Sequence, residues 1–403
     1  MKSDSTHPIR FLGMLASLMI GATVAQAEQA GDELLAAIPG NFQLAATQYE
    51  GMLKALKDDP LPPRTFENGQ LVTVRIKDWT SGFFAGSLWY LYEYTRKPEW
   101  LAAAKNHTER LESIKDFTGD HDVGFMLGSS YGNGYRLTGD KSYRRVLVQG
   151  AKSLATRYHP QVRQIRSWDH GTWTYPVIID NMMNLELLTL AAREGGGERL
   201  RKIAMTHADE TEKNHFRADS SSYHLVDYNP KNGEIIARQT VQGHSDDSAW
   251  ARGQAWGLYG YTMMFRETKN PAYLERARKI AAFIINHPRL PEDKVPYWDF
   301  DAPGIPDTSR DASAAAIMAS ALLELCGYVE KSEGRGYFQL ARRQLLTLSS
   351  PAYRAAPGEN GNFILMRSVG FLPKSSEVDV PLNYADYYFL EGLLRYQALM
   401  KKN

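Results

Sequence analysis

Small and apolar residues recur along this chain at the three-and-four spacing of a helix face, and they do so in paired segments. Each apolar run is followed by a short polar break. A second segment then opens on an aromatic residue or Leu and carries Ala three or four residues on. Segment 86–95 precedes 99–104, and 132–140 precedes a segment opening at Ser142. Further on, 185–193 precedes 199–207, 257–268 precedes a segment opening at Ala272, and 319–329 precedes one opening at Gly336. Each pair predicts a helix, a turn and a second helix.

Five hairpins leave two amphipathic segments over, one around 32–57 and one over 386–401. Pairing them makes a sixth hairpin. Six hairpins predict an all-α fold, an (α/α)6 barrel or six-hairpin toroid, as a single domain over residues 28–403. An open superhelix is the competing architecture, but its terminal repeats carry a polar outer face, which neither end segment has. The stretch 220–236 breaks the helical period with alternation and an Asn-Pro-Lys-Asn-Gly turn, which predicts a β-hairpin or long loop at the barrel mouth.

The first 27 residues follow another rule. Lys2 and Arg10 give a positive start, and 11–24 is an uncharged run too short to anchor in a bilayer. Ala25-Gln26-Ala27 then offers the small residues that signal peptidase accepts. A signal peptide over 1–27 and a periplasmic or secreted mature chain are expected. Cys326 is the sole cysteine, which excludes an intrachain disulfide and any zinc site built on several thiolates. Lys plus Arg is 47 against 46 Asp plus Glu, a balance that argues against nucleic-acid binding.

The inner helices of such a toroid begin near one rim, so polar residues just ahead of them gather around one cavity. The segments concerned are 78–84, 121–125, 168–184, 246–256, 310–313 and 384–386. Asp180 ends the apolar run Tyr-Pro-Val-Ile-Ile, where lost solvation raises a carboxyl towards the range of a general acid. Asp is equally a preferred helix N-cap, and on the residues alone that role has the stronger claim. Asp122 carries the same ambiguity. Two carboxylates on one cavity, one of them protonated, are the least that glycoside hydrolysis requires. His121 by itself reads as structural, and no H-E-x-x-H or C-x-x-C spacing is present, so no metal site is expected. Arg252 and Trp256, four apart, share a helix face. They suit a carboxylate and a sugar ring, or form an ordinary surface cation–π pair.

Taken together, KDWTSGFFAGSLWYLYEYT, HDVGFMLGSSYGNGYRLTGD, RSWDHGTWTYPVIIDNMMNLELL, DDSAWARGQAWGLYGY, RDASAAAIMASALLEL and EVDVPLNYADYYFLEGLLR resemble the unsaturated glucuronyl hydrolases of glycoside hydrolase family 88. The resemblance implies the same (α/α)6 barrel. It also implies hydration of the C4=C5 enol ether in a 4,5-unsaturated uronic acid at the non-reducing end of an oligosaccharide. Asp180 matches the family's general acid/base and Asp122 its partner. Trp79, His121, His224, Thr240, Gln242, Arg252 and Trp256 match substrate-binding positions. No metal or organic cofactor is implied, and the partner is an acidic oligosaccharide.

Two positions depart from the family pattern: Ala85 stands for Pro, and Arg367 stands where many members have His. The second, an extra cation, points to a sulfated neighbouring sugar. Rival readings are an unsaturated rhamnogalacturonyl hydrolase, a non-catalytic periplasmic sugar-binding protein on the same barrel, and a sugar isomerase or epimerase.

Overall fold

Three of the hairpin turns are built alike. Thr95, Thr138 and Thr268 each end an inner helix, and each hydroxyl donates to the carbonyl four residues back, of Leu91, Gly134 and Met264. Each also accepts the backbone N–H two residues on, of Lys97, Asp140 and Asn270. The residue between is left-handed in all three, with φ of 58° at Arg96, 69° at Gly139 and 58° at Lys269. A left-handed residue ends a helix by turning its last carbonyls onto the following N–H groups. Asp140 and Asn270 then cap the outgoing helix through their side chains, while Pro98 and Pro271 open theirs at a position that needs no N–H.

The computed structural model describes residues 31–402 apart from Asp58, so the expected signal peptide lies outside the described residues. Helix α1 (Glu33–Ala55) is followed by α2 (Phe83–Thr95), α3 (Pro98–Glu109) and α4 (Val123–Leu127). A π-turn over Gly128–Gly132 joins α4 to α5 (Asn133–Thr138). Then come α6 (Lys141–Ala155), α7 (Asn181–Ala191), α8 (Glu198–Asn214), α9 (Ala251–Thr268), α10 (Pro271–Asn286), α11 (Ala312–Leu325), α12 (Lys331–Leu348) and α13 (Asn383–Lys402). The inner ring runs α2, α4–α5, α7, α9, α11, α13. Each member packs on the next and α13 returns to α2. Outside it stand α3, α6, α8, α10, α12 and α1, and α1 packs against α13 as the sixth hairpin requires. The toroid is closed.

Composition sorts the two rings. Inner α11, Ala-Ser-Ala-Ala-Ala-Ile-Met-Ala-Ser-Ala-Leu-Leu-Glu-Leu, is buried nearly all round. Outer α6 buries Tyr143, Val146, Leu147, Gly150, Ala151 and Leu154, one stripe of an amphipathic helix. The far ends of the inner helices are tied by one carboxylate. Glu391 on α13 accepts from Tyr90 on α2, Tyr259 on α9 and Ser320 on α11, and pairs with Arg395. A cavity of about 580 Å³ opens beside it.

Short strands decorate the other rim, first the pairs β1 (Pro63–Glu67) with β2 (Gln70–Thr73) and β3 (Tyr158–His159) with β4 (Gln164–Ile165). The hairpin expected over 220–236 is present as β6 (Leu225–Tyr228) and β7 (Ile235–Gln239), and a third strand, β5 (Pro176–Ile178), adds to it. The apolar run ahead of Asp180 is therefore a buried strand. Its register aligns Ile178, Leu225 and Gln239 across the sheet. A second rim hairpin pairs β8 (Ser368–Phe371) with β9 (Ser376–Val380).

Candidate active site

The three-stranded register delivers three groups to one edge. Asp180 lies two residues beyond Ile178, His224 one ahead of Leu225, and Val241 and Gln242 just past Gln239. The His224 Nδ1 accepts the N–H groups of Val241 at 2.9 Å and Gln242 at 3.2 Å. Burial, then the nearby Arg252 charge, pushes the imidazole down to about 3, so it is neutral. With Nδ1 an acceptor, its proton sits on Nε2.

The second carboxylate arrives by a close crossing of α4 over α7. A Cβ on Gly124 would stand 2.5 Å from the Asn184 Cα, so only glycine permits this approach. At the crossing Asn184 Oδ1 accepts the Phe125 N–H at 2.8 Å, and its Nδ2 donates to Asp122 Oδ1 at 3.3 Å. Asn181 holds the neighbouring histidine. Its Nδ2 donates to the Ile165 carbonyl and the Ser167 hydroxyl, which turns Oδ1 to accept the His121 Nδ1–H at 2.6 Å. His121 therefore presents a bare Nε2, 3.4 Å from Asp122 Oδ1. The first turn of α7 thus orients both halves of the His-Asp pair.

Neither aspartate serves as a helix cap: both occupy the N-cap position, and neither side chain bonds the helix backbone there. Both line one cavity of about 510 Å³. Of the positions that the resemblance implies, Trp79, His121, His224 and Gln242 line it too. Three do not. The Thr240 hydroxyl accepts the Gly243 N–H and holds the turn that carries Gln242. Trp256 is fully buried beneath the floor against Phe125. Arg252 lies at the same depth, donating to the Val369 and Gly370 carbonyls, with Asp311 at 3.4 Å. Its guanidinium faces the rings of Trp250 and Tyr384, so the surface cation–π pair is not what the helix spacing makes. Arg367 likewise turns away, its Nε donating to the Ala352 carbonyl. The cation that β8–β9 sends to the cavity is Lys374, beside Phe371. Trp168 and Trp173 complete the walls, in edge-to-face contact 5.5 Å apart.

Burial pushes both carboxyls up to about 7. Around Asp180 it is opposed by Arg252 and by the Trp256 indole, which lies near enough to favour the anion without completing a hydrogen bond. Around Asp122, donors on Asp120 and Asn184 favour the anion, and the charge of Asp180 disfavours it. The sequence assigns the raised carboxyl to Asp180 alone; in the structure burial raises both. Asp180 Oδ2, His224 Nε2 and Trp256 Nε1 are all buried without a hydrogen-bond partner. Asp180 and His224 also line the cavity, so their unpaired atoms are the ones a polar ligand can reach.

Asp120, His121 and Asp122 each offer a ligand atom within 4.8 Å of the others, the one such grouping among the described residues. Burial pushes both of these carboxyls up to about 7. Two acids and one imidazole supply three ligand atoms, fewer than the oxygen shells that magnesium or calcium take.

The sequence model of Glycosyl Hydrolase Family 88 matches residues 64–367. An unsaturated glucuronyl hydrolase of Formosa agariphila is 46% identical over 81% of this chain and 82% of its own. The crystal structure of an unsaturated glucuronyl hydrolase specific for heparin superposes with a TM-score of 0.88 at 48% identity, covering 92% of this chain and 99% of that one. Another solved relative, described with dGlcA-Glc-Rha-Glc, has a TM-score of 0.82 at 31% identity over 89% of this chain and 95% of that one. With a family match across most of the barrel and relatives of this identity and coverage, the chain belongs to glycoside hydrolase family 88.

Proposed function

We propose that this chain removes a 4,5-unsaturated uronic acid from the non-reducing end of lyase-generated oligosaccharides by hydrating its C4=C5 enol ether. The observation that carries the reading is the meeting of Asp122 and Asp180 on one cavity, where Asp180 Oδ2 and His224 Nε2 are left without a partner in the protein.

Asp180 gives its proton to C4, and the π electrons of C4=C5 form the new C4–H bond. Positive charge develops at C5 and on the ring oxygen, where the Asp122 carboxylate stabilises it. Water attacks C5, and Asp180, now ionised, takes the water's proton. The hemiketal opens to a C5 ketone, which leaves a hemiacetal at C1, and this expels the remaining sugar. No step needs a redox partner. An incoming uronate brings its own negative charge and excludes water, and both effects drive Asp180 to the protonated form as substrate binds. Trp79, Trp168 and Trp173 offer faces for the sugar rings, and Gln242, His224 and Lys374 offer donors for hydroxyl and carboxylate oxygens.

The test is a panel of lyase-generated unsaturated disaccharides scored by loss of the ultraviolet absorbance of the conjugated double bond. Heparin-derived disaccharides come first, because a relative at 48% identity is described as specific for heparin. A pectin-derived unsaturated rhamnogalacturonyl disaccharide is the control for the rival substrate. Binding with no decay on any member would leave only a sugar-binding protein. We also propose that residues 1–27 act as a signal peptide and that the site of action is periplasmic or secreted, on the charged start, the apolar run and Ala25-Gln26-Ala27. N-terminal sequencing of exported protein, with cleavage after Ala27, tests that part.

A further inference from the structure

The His-Asp motif is preceded by a third acid that the hydration scheme does not use. Asp120, His121 and Asp122 have their ligand-bearing atoms within 4.8 Å of one another. Asp120 Oδ1 accepts the Asp122 backbone N–H at 3.1 Å and stands 3.7 Å from His121 Nε2. The His121 proton is held on Nδ1 by Asn181, so His121 cannot donate to either acid while neutral. Two carboxyls this close each disfavour the other's charge, and a proton on one can be shared towards the other. Asp122 Oδ1 accepts from the Asn184 amide at 3.3 Å, and Asp120 Oδ1 accepts the Asp122 backbone N–H at 3.1 Å. The Asp120 anion is further disfavoured by the charge of Asp122, whereas the Asp122 anion is favoured by a donor on Asp120, so the proton belongs on Asp120.

We infer that Asp120 is a positioning residue for the reaction: it carries the proton of the Asp120–Asp122 pair, donates it in a hydrogen bond to Asp122, and so holds Asp122 as the oriented anion facing C5. Asp120 does not line the cavity and touches no reacting atom. The charged and titratable groups that act on the pair are His121, Asp180 and Asp78, and Arg157 acts on His121. Of these, Arg157 is spent on Asp169 and Asp78 on Arg64. As pH rises through about 7 Asp120 loses its proton, and Asp122 then loses its donor and gains a second negative neighbour. The inference rests on the hydration reading above.

The test compares Asp120→Asn and Asp120→Ala with the unaltered enzyme on an unsaturated disaccharide, recording kcat and KM across pH, with thermal melts to verify folding. Asn keeps a donor towards Asp122, so kcat near neutrality is expected within about threefold of the parent, well inside the cost of a lost charged hydrogen bond. Ala removes the donor, and kcat falls by about 10–100-fold with KM little changed. Above neutrality the parent loses two protons that matter, on Asp120 and Asp180; in Asp120→Asn the alkaline limb becomes single-proton and shallower. A folded Ala variant with the parent's kcat and pH profile overturns the inference, as does an Asn variant as impaired as Ala or one with the parent's steep limb. If the unaltered enzyme itself leaves the double bond intact across the panel, the hydration reading has failed instead.

Discussion

His224 Nε2 stands 3.7 Å from Asp180 Oδ2, and neither atom has a hydrogen-bond partner within the protein. The histidine is held from behind by two backbone N–H groups on Nδ1, so what it turns towards the aspartate is a fixed N–H. One oxygen atom placed between them can accept from His224 and meet Asp180 together. The hydration step requires a water, or a substrate oxygen, at such a place. His224→Ala is therefore expected to lower kcat/KM by about 10–100-fold, the worth of one hydrogen bond to a charged or developing-charge centre. Steady-state kinetics on the preferred disaccharide decide it, and a variant with parental kcat/KM would remove His224 from the site.

Asp180→Asn separates chemistry from folding. The amide has the shape of the carboxyl but cannot protonate C4, so kcat should fall by at least about 10²–10⁴-fold, the range for a general acid/base. Stability should move the other way. Burial raises the Asp180 pKa above its unfolded value of 3.8 to about 7, so the native state binds the proton more tightly than the unfolded chain does. That contribution is whole below about pH 4 and is lost as pH rises through about 7. The neutral amide escapes the loss. Above pH 7 the variant should be the more stable protein, by up to about 1.4 kcal/mol for each pH unit of the shift. Denaturant melts at acid and alkaline pH check this, and a variant less stable than the parent at alkaline pH contradicts the burial argument.

How far the site could be read from the sequence depended on what each residue answers to. The toroid was legible because paired helical periods and turns such as Thr-Lys-Asn-Pro are local signals, and the structure repeats the same threonine turn in three hairpins. The choice between cap and catalyst at Asp122 and Asp180 was not local. It turns on Asn181 and Asn184, which stand in the same motif but were not singled out, because an asparagine's role is invisible until its partner is placed. Asn184 reaches Asp122 only because Gly124 lets two helix backbones nearly touch. Arg252 and Trp256 share a helix, yet the guanidinium is drawn to carbonyls of the β8–β9 hairpin 117 and 118 residues further on. Lys374 escaped notice for the same reason: a hairpin's register fixes which of its cations faces the cavity.

The pH profile of kcat/KM should be bell-shaped and centred near neutrality. Asp180 must be protonated to attack C4, so activity is present below its pKa and lost as pH rises through it. Asp122 must be ionised, so activity is lost as pH falls through its own. Burial pushes both up to about 7, and the charge on one raises the other. Two acids coupled in this way titrate as a pair, with one apparent pKa on each side of the shared value, and loss of the Asp120 proton steepens the alkaline side. In Asp122→Asn the acid limb should vanish, leaving a low plateau that declines only towards alkaline pH. A parent profile that is flat from pH 5 to 9, or a residual limb on the acid side of Asp122→Asn, would assign the titration to other groups.

Closure of the ring makes its own prediction, at the end of the barrel away from the chemistry. Glu391 gathers hydroxyls from three other inner helices, through Tyr90, Tyr259 and Ser320, and pairs with Arg395 one turn along its own. Replacing it with Gln keeps the shape but swaps one acceptor oxygen for a donor among groups that already donate, and it leaves Arg395 with Glu324 as its remaining acidic partner. Removing one member of a buried pair costs about 3–5 kcal/mol, because the other charge stays behind without its partner. Arg395 is part-exposed and keeps Glu324, so the lower end of that range, about 3 kcal/mol, is the expected loss for Glu391→Gln. It should be read as a fall in urea midpoint at unchanged slope. Catalysis should be untouched at temperatures where the variant is folded, since Asp122 and Asp180 lie before the opposite ends of their helices. Parental stability in this variant would mean that packing alone closes the toroid and that the hydroxyl cluster contributes nothing to it.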